Sequence, residues 1–238
     1  MNKYVRAQIA AAILAGVVTP ALAAEISPYV EGFGGYAIGT SSGGGDIVSG
    51  TGFGGDFGSS GTYGGGVGLK LPIDDTPVAL RFDLTGSFVP GLGGDNHTGT
   101  LDDGTPVSAK VKLSASTYLA TGYIDFDAGL PVVPYVGFGI GGAHKKIGTI
   151  VYSGPAGQFG SVNGNDREGV AWSGTVGVTY HVIPHFDIDA GYRYIDAGKV
   201  NSGSNFTDAT NGSVQGLNAQ ISSRLQLHQF NATLRYLF

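Results

Sequence analysis

The sequence predicts an all-β protein: an eight-stranded antiparallel barrel that closes on itself and crosses a membrane. Eight segments alternate between apolar and polar residues, and the connections between them alternate between long and short. Only 13% of the 238 residues are charged, although 42% are hydrophobic. A water-soluble domain carries about 25% charged residues, so this chain has too few charges to coat an ordinary surface in water. We infer that lipid covers part of the outside.

Period-two alternation identifies the strands, because successive side chains of a strand point to opposite faces. It is clearest in residues 78–88, 172–182 and 186–194, where aliphatic and aromatic residues alternate with charged, hydroxyl and glycine residues. Five further segments show the pattern with less contrast: 28–39, 62–71, 108–127, 133–147 and 222–238. Each segment is long enough to cross a bilayer at a tilt.

The connections between these segments predict the orientation. Short turns are expected at 72–77, 127–132 and 182–185. The long connections, rich in Gly, Ser, Asn and Asp, are 40–61, 90–107, 148–168 and 198–221. Long extracellular loops opposite short periplasmic turns are typical of outer-membrane barrels, whereas a soluble β-sandwich has no reason to place all its long connections at one end. We expect the barrel to close, because closure removes unpaired strand edges inside the membrane.

The two faces of each strand meet different surroundings in this interpretation. The aliphatic and aromatic face meets lipid, and in segment 108–127 this face is assigned to Val111, Leu113, Ala115 and Leu119. The charged face points into the barrel, where ionised groups must pair or stay hydrated. We predict a lumen charge network with these members: Glu31, Arg81, Asp83, Asp189, Arg193 and Arg235. Eight strands leave room for little beyond side chains, so the network is expected to fill the lumen, with a narrow path for water or ions as the alternative.

The beginning of the chain has the layout of a secretory signal peptide. Two basic residues precede an apolar run over 9–18, and a small-x-small cleavage site ends at Ala23. We therefore predict a signal peptide over 1–23 and a barrel domain over 24–238. Without the two basic residues of the signal, 11 basic residues remain against 18 acidic residues, and the formal charge is −7. This charge argues against a nucleic-acid partner.

Three short motifs carry a family resemblance. The last strand ends in Tyr236-Leu237-Phe238, which resembles the assembly signal that the barrel-assembly machinery reads in Gram-negative outer-membrane proteins. Residues 28–39 (PYVEGFGGYAIG) and 130–144 (LPVVPYVGFGIGGAH) resemble the OmpA/Opa-like family of small, porin-like eight-stranded barrels. The resemblance implies an outer-membrane barrel with Tyr236 and Phe238 as its assembly signal. OmpA itself continues into a peptidoglycan-binding domain that this chain is not expected to have, so no cell-wall tethering is inferred.

Catalytic and cofactor chemistry has little support in the sequence. There is no Cys for a thiolate site, and the five His residues show no recognised metal spacing. We expect no enzyme, no cofactor and no metal. His228 near Ser222 and Ser223 leaves a lipid A-modifying enzyme as the weakest alternative, because a Ser–His pair needs hydrogen-bond reach and an orienting third group.

The leading functional hypothesis is a structural and surface-interaction protein that contributes to envelope integrity. Its four long loops would contact a host or environmental ligand, since exposed loops on a rigid scaffold commonly carry binding residues. A narrow, low-conductance channel is the alternative. Lys145, Lys146 and Arg224 stand near the predicted extracellular rim and are candidates to pair with lipopolysaccharide phosphates. The other expected partners are outer-membrane lipid and the barrel-assembly machinery.

Overall fold

The computed structural model describes five stretches of the chain: residues 26–42, 55–93, 97–100, 104–216 and 222–238. Within these stretches the chain forms fourteen β-strands. None of the described residues belongs to a helix long and apolar enough to cross a membrane. The predicted signal peptide, residues 1–23, lies outside the described stretches and remains a prediction.

Eight long strands form a closed barrel. They are β1 (Ser27–Ser42), β2 (Gly55–Pro72), β3 (Ala79–Leu92), β6 (Leu113–Asp125), β7 (Val132–Ile147), β10 (Asn165–Ile183), β11 (Phe186–Asn201) and β14 (Ser222–Leu237). The strand order is β1-β14-β11-β10-β7-β6-β3-β2, with antiparallel neighbours, and β1 pairs with both β14 and β2 to close it. The predicted eight-stranded antiparallel barrel is confirmed.

The short connections lie together at one end of the barrel, the periplasmic end. They cover 73–78, 126–131 and the two-residue turn 184–185. The first and last barrel strands also meet at this end, where the amide of Phe238 donates a hydrogen bond of 2.9 Å to the carbonyl of Pro28. Every long connection therefore leaves from the opposite, extracellular end.

The long connections contain a second, six-stranded sheet, which we call the extracellular sheet. Its strands are β4 (His97–Thr100), β5 (Pro106–Lys110), β8 (Ile150–Gly154), β9 (Gly157–Val162), β12 (Asn205–Asp208) and β13 (Val214–Gly216), in the order β13-β12-β9-β8-β5-β4. The sequence does not reveal these strands, because they are only three to six residues long and have the composition of loops. The predicted strand 108–127 is wrong in one respect: β5 ends at Lys110 and β6 begins only at Leu113.

The outward face of the barrel is an apolar band. Large hydrophobic side chains at alternate strand positions stay exposed, among them Phe82, Leu84, Tyr118, Ile124, Phe138, Ile140, Val176, Ile188, Phe230 and Leu234. A soluble protein rarely exposes so large a continuous apolar surface. An outward apolar band is the surface that a membrane barrel presents to lipid.

The face assigned to lipid in segment 108–127 is wrong. Four residues predicted to meet lipid are at most 6% exposed and lie inside: Val111, Leu113, Ala115 and Leu119. Tyr118, which alternates with them, is 64% exposed. The register explains the result, since Ile124 lies opposite the outward-facing Leu80 and opposed residues share a face. Alternation alone assigns the two faces of this strand wrongly, because side chains at the extracellular end of the lumen are themselves apolar.

Candidate functional site

The side chains inside the barrel change character along its axis. Towards the periplasmic end they are charged, and the buried members are Arg81, Asp83, Asp125, Asp187, Asp189, Arg193 and Arg235. The middle of the lumen carries hydroxyl and amide groups: Thr85, Ser87, Thr117, Thr121, Ser173, Thr175 and Gln229. Towards the extracellular end the lumen is apolar. We call these regions the charged layer, the hydroxyl layer and the apolar layer.

Arg235 is the centre of the charged layer. Its Nη2 donates hydrogen bonds of 2.5 Å to Asp189 and 3.3 Å to Glu31. Its Nη1 lies 3.6 Å from a carboxylate oxygen of Asp187. The guanidinium carbon is 4.8 Å from the ring centroid of Tyr29, within the range of a cation–π contact. One side chain of β14 thus ties together β1 and β11.

Arg81 extends the same network to the other side of the barrel. Its Nη2 lies 3.2 Å from Asp125 and its Nη1 lies 3.6 Å from Asp189. The guanidinium packs over two tyrosine rings, 4.3 Å from the centroid of Tyr123 and 4.7 Å from that of Tyr135. Because Arg81 and Arg235 share Asp189, the ion pairs connect β3 and β6 with β11 and β14.

Arg193 and Asp83 complete the charged layer. Arg193 donates a 3.2 Å hydrogen bond to the Tyr123 hydroxyl and stands 5.4 Å from the ring centroid of Phe33. Asp83 is 3% exposed and interacts with Arg193, Arg235 and the Tyr123 hydroxyl. The structure therefore brings all six predicted lumen residues into one cluster.

Two further carboxyl groups belong to this cluster, those of Asp125 and Asp187, which the predicted network omits. Asp187 alternates on the same face as Asp189 and Arg193, so the pattern could have included it. Asp125 ends β6, whose two faces the pattern assigns wrongly. Three arginines thus face five carboxyl groups. Gly137 makes room for this arrangement, because a side chain there would overlap the ring of Tyr123.

A histidine links the charged layer to the periplasmic opening. The Nδ1 atom of His181 lies 2.6 Å from Asp187, and its Nε2 atom lies 3.9 Å from Asp127. Lys70 lies 3.8 Å from the same Asp127 carboxylate. A cavity of about 380 Å³ opens among these groups. Polar contacts thus run from the periplasmic opening into the lumen.

The apolar layer closes the other end of the lumen and continues into the extracellular sheet. Its buried barrel residues include Val89, Leu92, Leu113, Ile195, Leu225 and Leu227, and its buried sheet residues include Ala109, Ile150, Tyr152 and Val162. The ring of Tyr152 packs against Phe159 and Phe206, with centroid distances of 6.1 and 6.5 Å. A cavity of about 30 Å³ remains in this layer, roughly the volume of one water molecule.

The candidate Ser–His pair does not form. Ser223 is buried on the inward face of β14, whereas His228 occupies an outward-facing position. Ser222 shares the outward face, but six residues of extended strand separate it from His228 by about 20 Å. His228 instead contacts the Tyr192 hydroxyl through Nδ1 at 2.7 Å. No three His, Asp or Glu groups of the described residues converge as a metal site.

The three cations proposed to contact lipopolysaccharide occupy different environments. Lys145 is a correction: it is 2% exposed and points into the barrel, where its ammonium donates hydrogen bonds to the carbonyls of Ala197 and Lys199, the latter at 3.0 Å. It is therefore not available to lipid. Lys146 and Arg224 are exposed, so their contact with lipopolysaccharide remains a prediction.

The predicted assembly residues lie at the periplasmic rim. Tyr236 and Phe238 point outward, and their ring centroids are 5.1 Å apart in an edge-to-face contact. Phe238 is 66% exposed, so its ring contributes little to packing within the chain. Its role in assembly remains a prediction.

Comparison with known proteins identifies the family of the chain. A model of the outer membrane protein beta-barrel domain matches residues 9–238. Outer membrane protein PagN of Salmonella typhimurium is 31% identical over 131 residues, which are 54% of this chain and 54% of PagN, so the chain spans about half the length of this relative. Neisserial surface protein A has 20% identity and a TM-score of 0.47 over 89% of this chain and 97% of that structure. The attachment invasion locus protein Ail of Yersinia pestis has 13% identity and a TM-score of 0.41 over 89% of this chain and 99% of that structure. The chain belongs to the outer-membrane protein β-barrel family and is a protein of the Gram-negative outer membrane.

Proposed function

We propose that this protein is a surface-interaction protein of the outer membrane that contacts ligands outside the cell through its extracellular sheet, while its filled barrel contributes to envelope integrity. The observation that carries this proposal is the burial of the sheet's apolar residues against the apolar layer of the lumen. Burial of this kind holds the sheet in place above the membrane. A pre-ordered surface loses less conformational entropy on binding than a mobile loop does.

The tip between β12 and β13 is the best-defined contact surface. The amide of Ala209 donates a 3.0 Å hydrogen bond to the carbonyl of Phe159, which anchors the tip to β9. The amide of Thr210 donates a 2.7 Å hydrogen bond to the Asp208 carboxylate, and the amide of Gly212 donates one of 3.0 Å to the Asp208 carbonyl. Residues 209–216 are all exposed. The tip therefore combines a fixed backbone with accessible polar side chains.

The two alternative functions have less support. A channel needs a continuous polar path, whereas the apolar layer interrupts the polar lumen. A lipid A-modifying enzyme based on His228 needs a nucleophile within hydrogen-bond reach, and Ser222 and Ser223 are not so placed. Surface interaction is therefore the function that the geometry supports best.

Replacement of the tip tests the proposal. We would exchange 209–213 for a Gly-Ser linker of equal length and compare whole-cell adherence to epithelial monolayers and to matrix-coated wells. The matched control exchanges the periplasmic turn 74–77 in the same way. We expect reduced adherence only for the tip variant, at equal surface amounts of folded protein. Equal adherence of wild type and tip variant would contradict the assignment of the contact surface to this tip.

Envelope integrity and the enzyme alternative are tested in the same strains. Loss of the whole protein should increase sensitivity to detergent, whereas the tip variant should stay resistant, because the barrel wall is intact. Ser222→Ala, Ser223→Ala and His228→Ala variants should leave the mass spectrum of lipid A unchanged. A changed lipid A in these variants, with adherence intact, would favour the enzyme instead.

A further inference from the structure

Two cations lie side by side on the outward face at the extracellular end of β11 and β14. Lys199 and Arg224 are directly opposite each other in the register, so they share a face. The adjacent opposed pair, Val200 and Ser223, is buried inside the barrel. Lys199 and Arg224 therefore point away from the lumen. Like charges in opposed positions are unfavourable, and an anion placed between them relieves the repulsion.

Asp196 binds Arg224 through the Nε atom, and the two terminal amino groups of the guanidinium remain for a ligand. This Nε atom lies 2.7 and 3.0 Å from the two carboxylate oxygens of Asp196. Asp196 is buried, whereas the Arg224 side chain is 53% exposed. Within the described parts of the chain, the two terminal amino groups of Arg224 have no hydrogen-bond acceptor. These two groups match the geometry of two phosphate oxygens.

The backbone beneath the cations is fixed from inside the barrel. β11 has an irregularity in its pairing with β14 between Asp196 and Gly198, and Gly198 has a φ of 73°. The amide of Gly198 donates a 2.9 Å hydrogen bond to the Asp196 carboxylate. The buried ammonium of Lys145 donates hydrogen bonds to the carbonyls of Ala197 and Lys199 on either side of this glycine. Lys145 therefore positions the strand end that carries Lys199.

A cluster of aromatic side chains on the outward face indicates that these cations lie at the depth of lipid headgroups. On the outward face below them, the ring centroids of Trp172 and Tyr194 are 5.3 Å apart, and those of Tyr194 and His228 are 5.4 Å apart. Aromatic girdles of membrane barrels mark the boundary between the hydrocarbon and the headgroups. Arg224 lies four residues beyond His228 along β14, about 13 Å along an extended strand. Lipid phosphates lie at this level.

We propose that Lys199 and Arg224 form a binding site for a phosphate monoester carried by a lipid of the outer leaflet, with Asp196 and Lys145 as positioning residues. The two cations and Asp196 together carry one positive charge, which a phosphate monoester of about −1.5 to −2 charge complements. Lys146, by contrast, lies opposite Asp166 on β10, so its charge has a counter-charge beside it. The site is separate from the extracellular tip and does not depend on the surface-interaction function.

Trp172 provides a direct probe of the site. It is the only tryptophan of the chain, and it lies opposite Asp196 in the register. We would record its fluorescence in the refolded, full-length barrel while adding lipid A with two phosphates, with one or with none, and inorganic phosphate in a separate titration. We expect a saturable change with the phosphorylated lipids, and at least about tenfold weaker binding of the dephosphorylated lipid, since charge-assisted hydrogen bonds are lost.

Charge-matched variants locate the binding. The double variant Lys199→Gln/Arg224→Gln should bind phosphorylated lipid A at least about tenfold more weakly. The control Lys110→Gln/Lys112→Gln removes the same charge just before β6, which lies three strands from β11 in the barrel, and should change the affinity less than about twofold. Heat-modifiable migration of each variant on gels verifies folding. The 209–213 tip variant should bind the lipid like wild type, which separates this test from that of the surface function.

Three outcomes would overturn the proposal. An equal loss of affinity for phosphorylated lipid A in the two double variants would show that the lipid is attracted by the overall charge and not by this site. Equal affinity for phosphorylated and dephosphorylated lipid would exclude phosphate recognition. Saturation by inorganic phosphate at the same concentration as lipid A would assign the site to a free anion instead of a lipid.

Discussion

Single arginines hold the lumen together, and Arg235 contacts more carboxylates than the others do. Glu31, Asp187 and Asp189 all face its guanidinium, and each has a side chain only 3% exposed. Charges taken out of water are costly unless they are paired, and removal of one partner leaves the others buried and unpaired. The stability of the barrel should therefore respond strongly to this residue.

Arg235→Gln is expected to destabilise the folded barrel by about 3–5 kcal/mol. Urea unfolding of the protein in lipid vesicles, followed by Trp172 fluorescence, measures the change in the free energy of unfolding. Lys146→Gln serves as the control, because removal of an exposed cation usually changes stability by less than about 0.5 kcal/mol. Similar values for the two variants would show that the ion pairs of Arg235 add little to stability.

The Phe238 side chain gives a second prediction at the residue scale. Phe238→Asp should leave the protein in the periplasm, unfolded or degraded, if the barrel-assembly machinery reads this aromatic residue. A charge near the membrane interface costs only about 0–1 kcal/mol, so lost stability alone cannot produce that result. Phe126→Asp is the control, because Phe126 is also an exposed aromatic residue near the periplasmic end. Normal outer-membrane levels of heat-modifiable Phe238→Asp barrel would refute the assembly role.

Residue positions inside the barrel could be predicted wherever charges alternate with large apolar residues. Arg81, Asp189 and Arg235 are examples, because hydrocarbon-facing charges are so unfavourable that each must point inward. The expectation that Lys145 faces lipopolysaccharide rests on its position near the rim and disregards the alternation of inward and outward residues along β7. Phe138 and Ile140 face lipid, and the same alternation places Lys146 outward and Lys145 inward, so the necessary signal was present in the sequence.

At the scale of elements, the strand β6 and the extracellular sheet show what the period-two sequence pattern cannot predict. The pattern locates β6 but assigns its faces wrongly, because Leu113 and Leu119 meet an apolar layer inside while Gly122 lies on the lipid side. The strands of the extracellular sheet are too short for a periodic signal. Their position depends on contacts between distant segments, such as Tyr152 with Phe206, which no local pattern encodes.

The packing of Phe206 predicts how the extracellular sheet responds to mutation. Its ring covers Gly160 of β9 and packs against Tyr152. Phe206→Ser should therefore increase amide hydrogen exchange in β8, β9 and β12 and leave the barrel strands protected, since the change removes a half-buried ring and costs less than the roughly 3–5 kcal/mol of a fully buried one. Val214→Ser is the control, because Val214 is 63% exposed. Uniform loss of protection in the barrel as well would mean that the sheet and barrel unfold as one unit.

At the scale of the whole molecule, the surroundings of each surface explain why so few residues are charged. Lipid replaces water around the outward apolar band, so few charges are needed there, and three arginines and five carboxyl groups are clustered inside the lumen. The lumen is polar from the periplasmic opening to the hydroxyl layer and mainly apolar beyond it, where the buried Lys145 ammonium is bound to backbone carbonyls. Because an ion must shed its hydration to cross an apolar layer, we expect this arrangement to form a closed wall and not a conducting path.

Conductance of the purified, folded protein in planar lipid bilayers tests this account most directly. A general porin reconstituted in the same bilayers verifies that openings are detectable. The filled charged layer and the apolar layer predict absent or very small conductance, with no steady open level. Steady, porin-sized openings would contradict the closed lumen and would favour a channel over a surface-interaction protein.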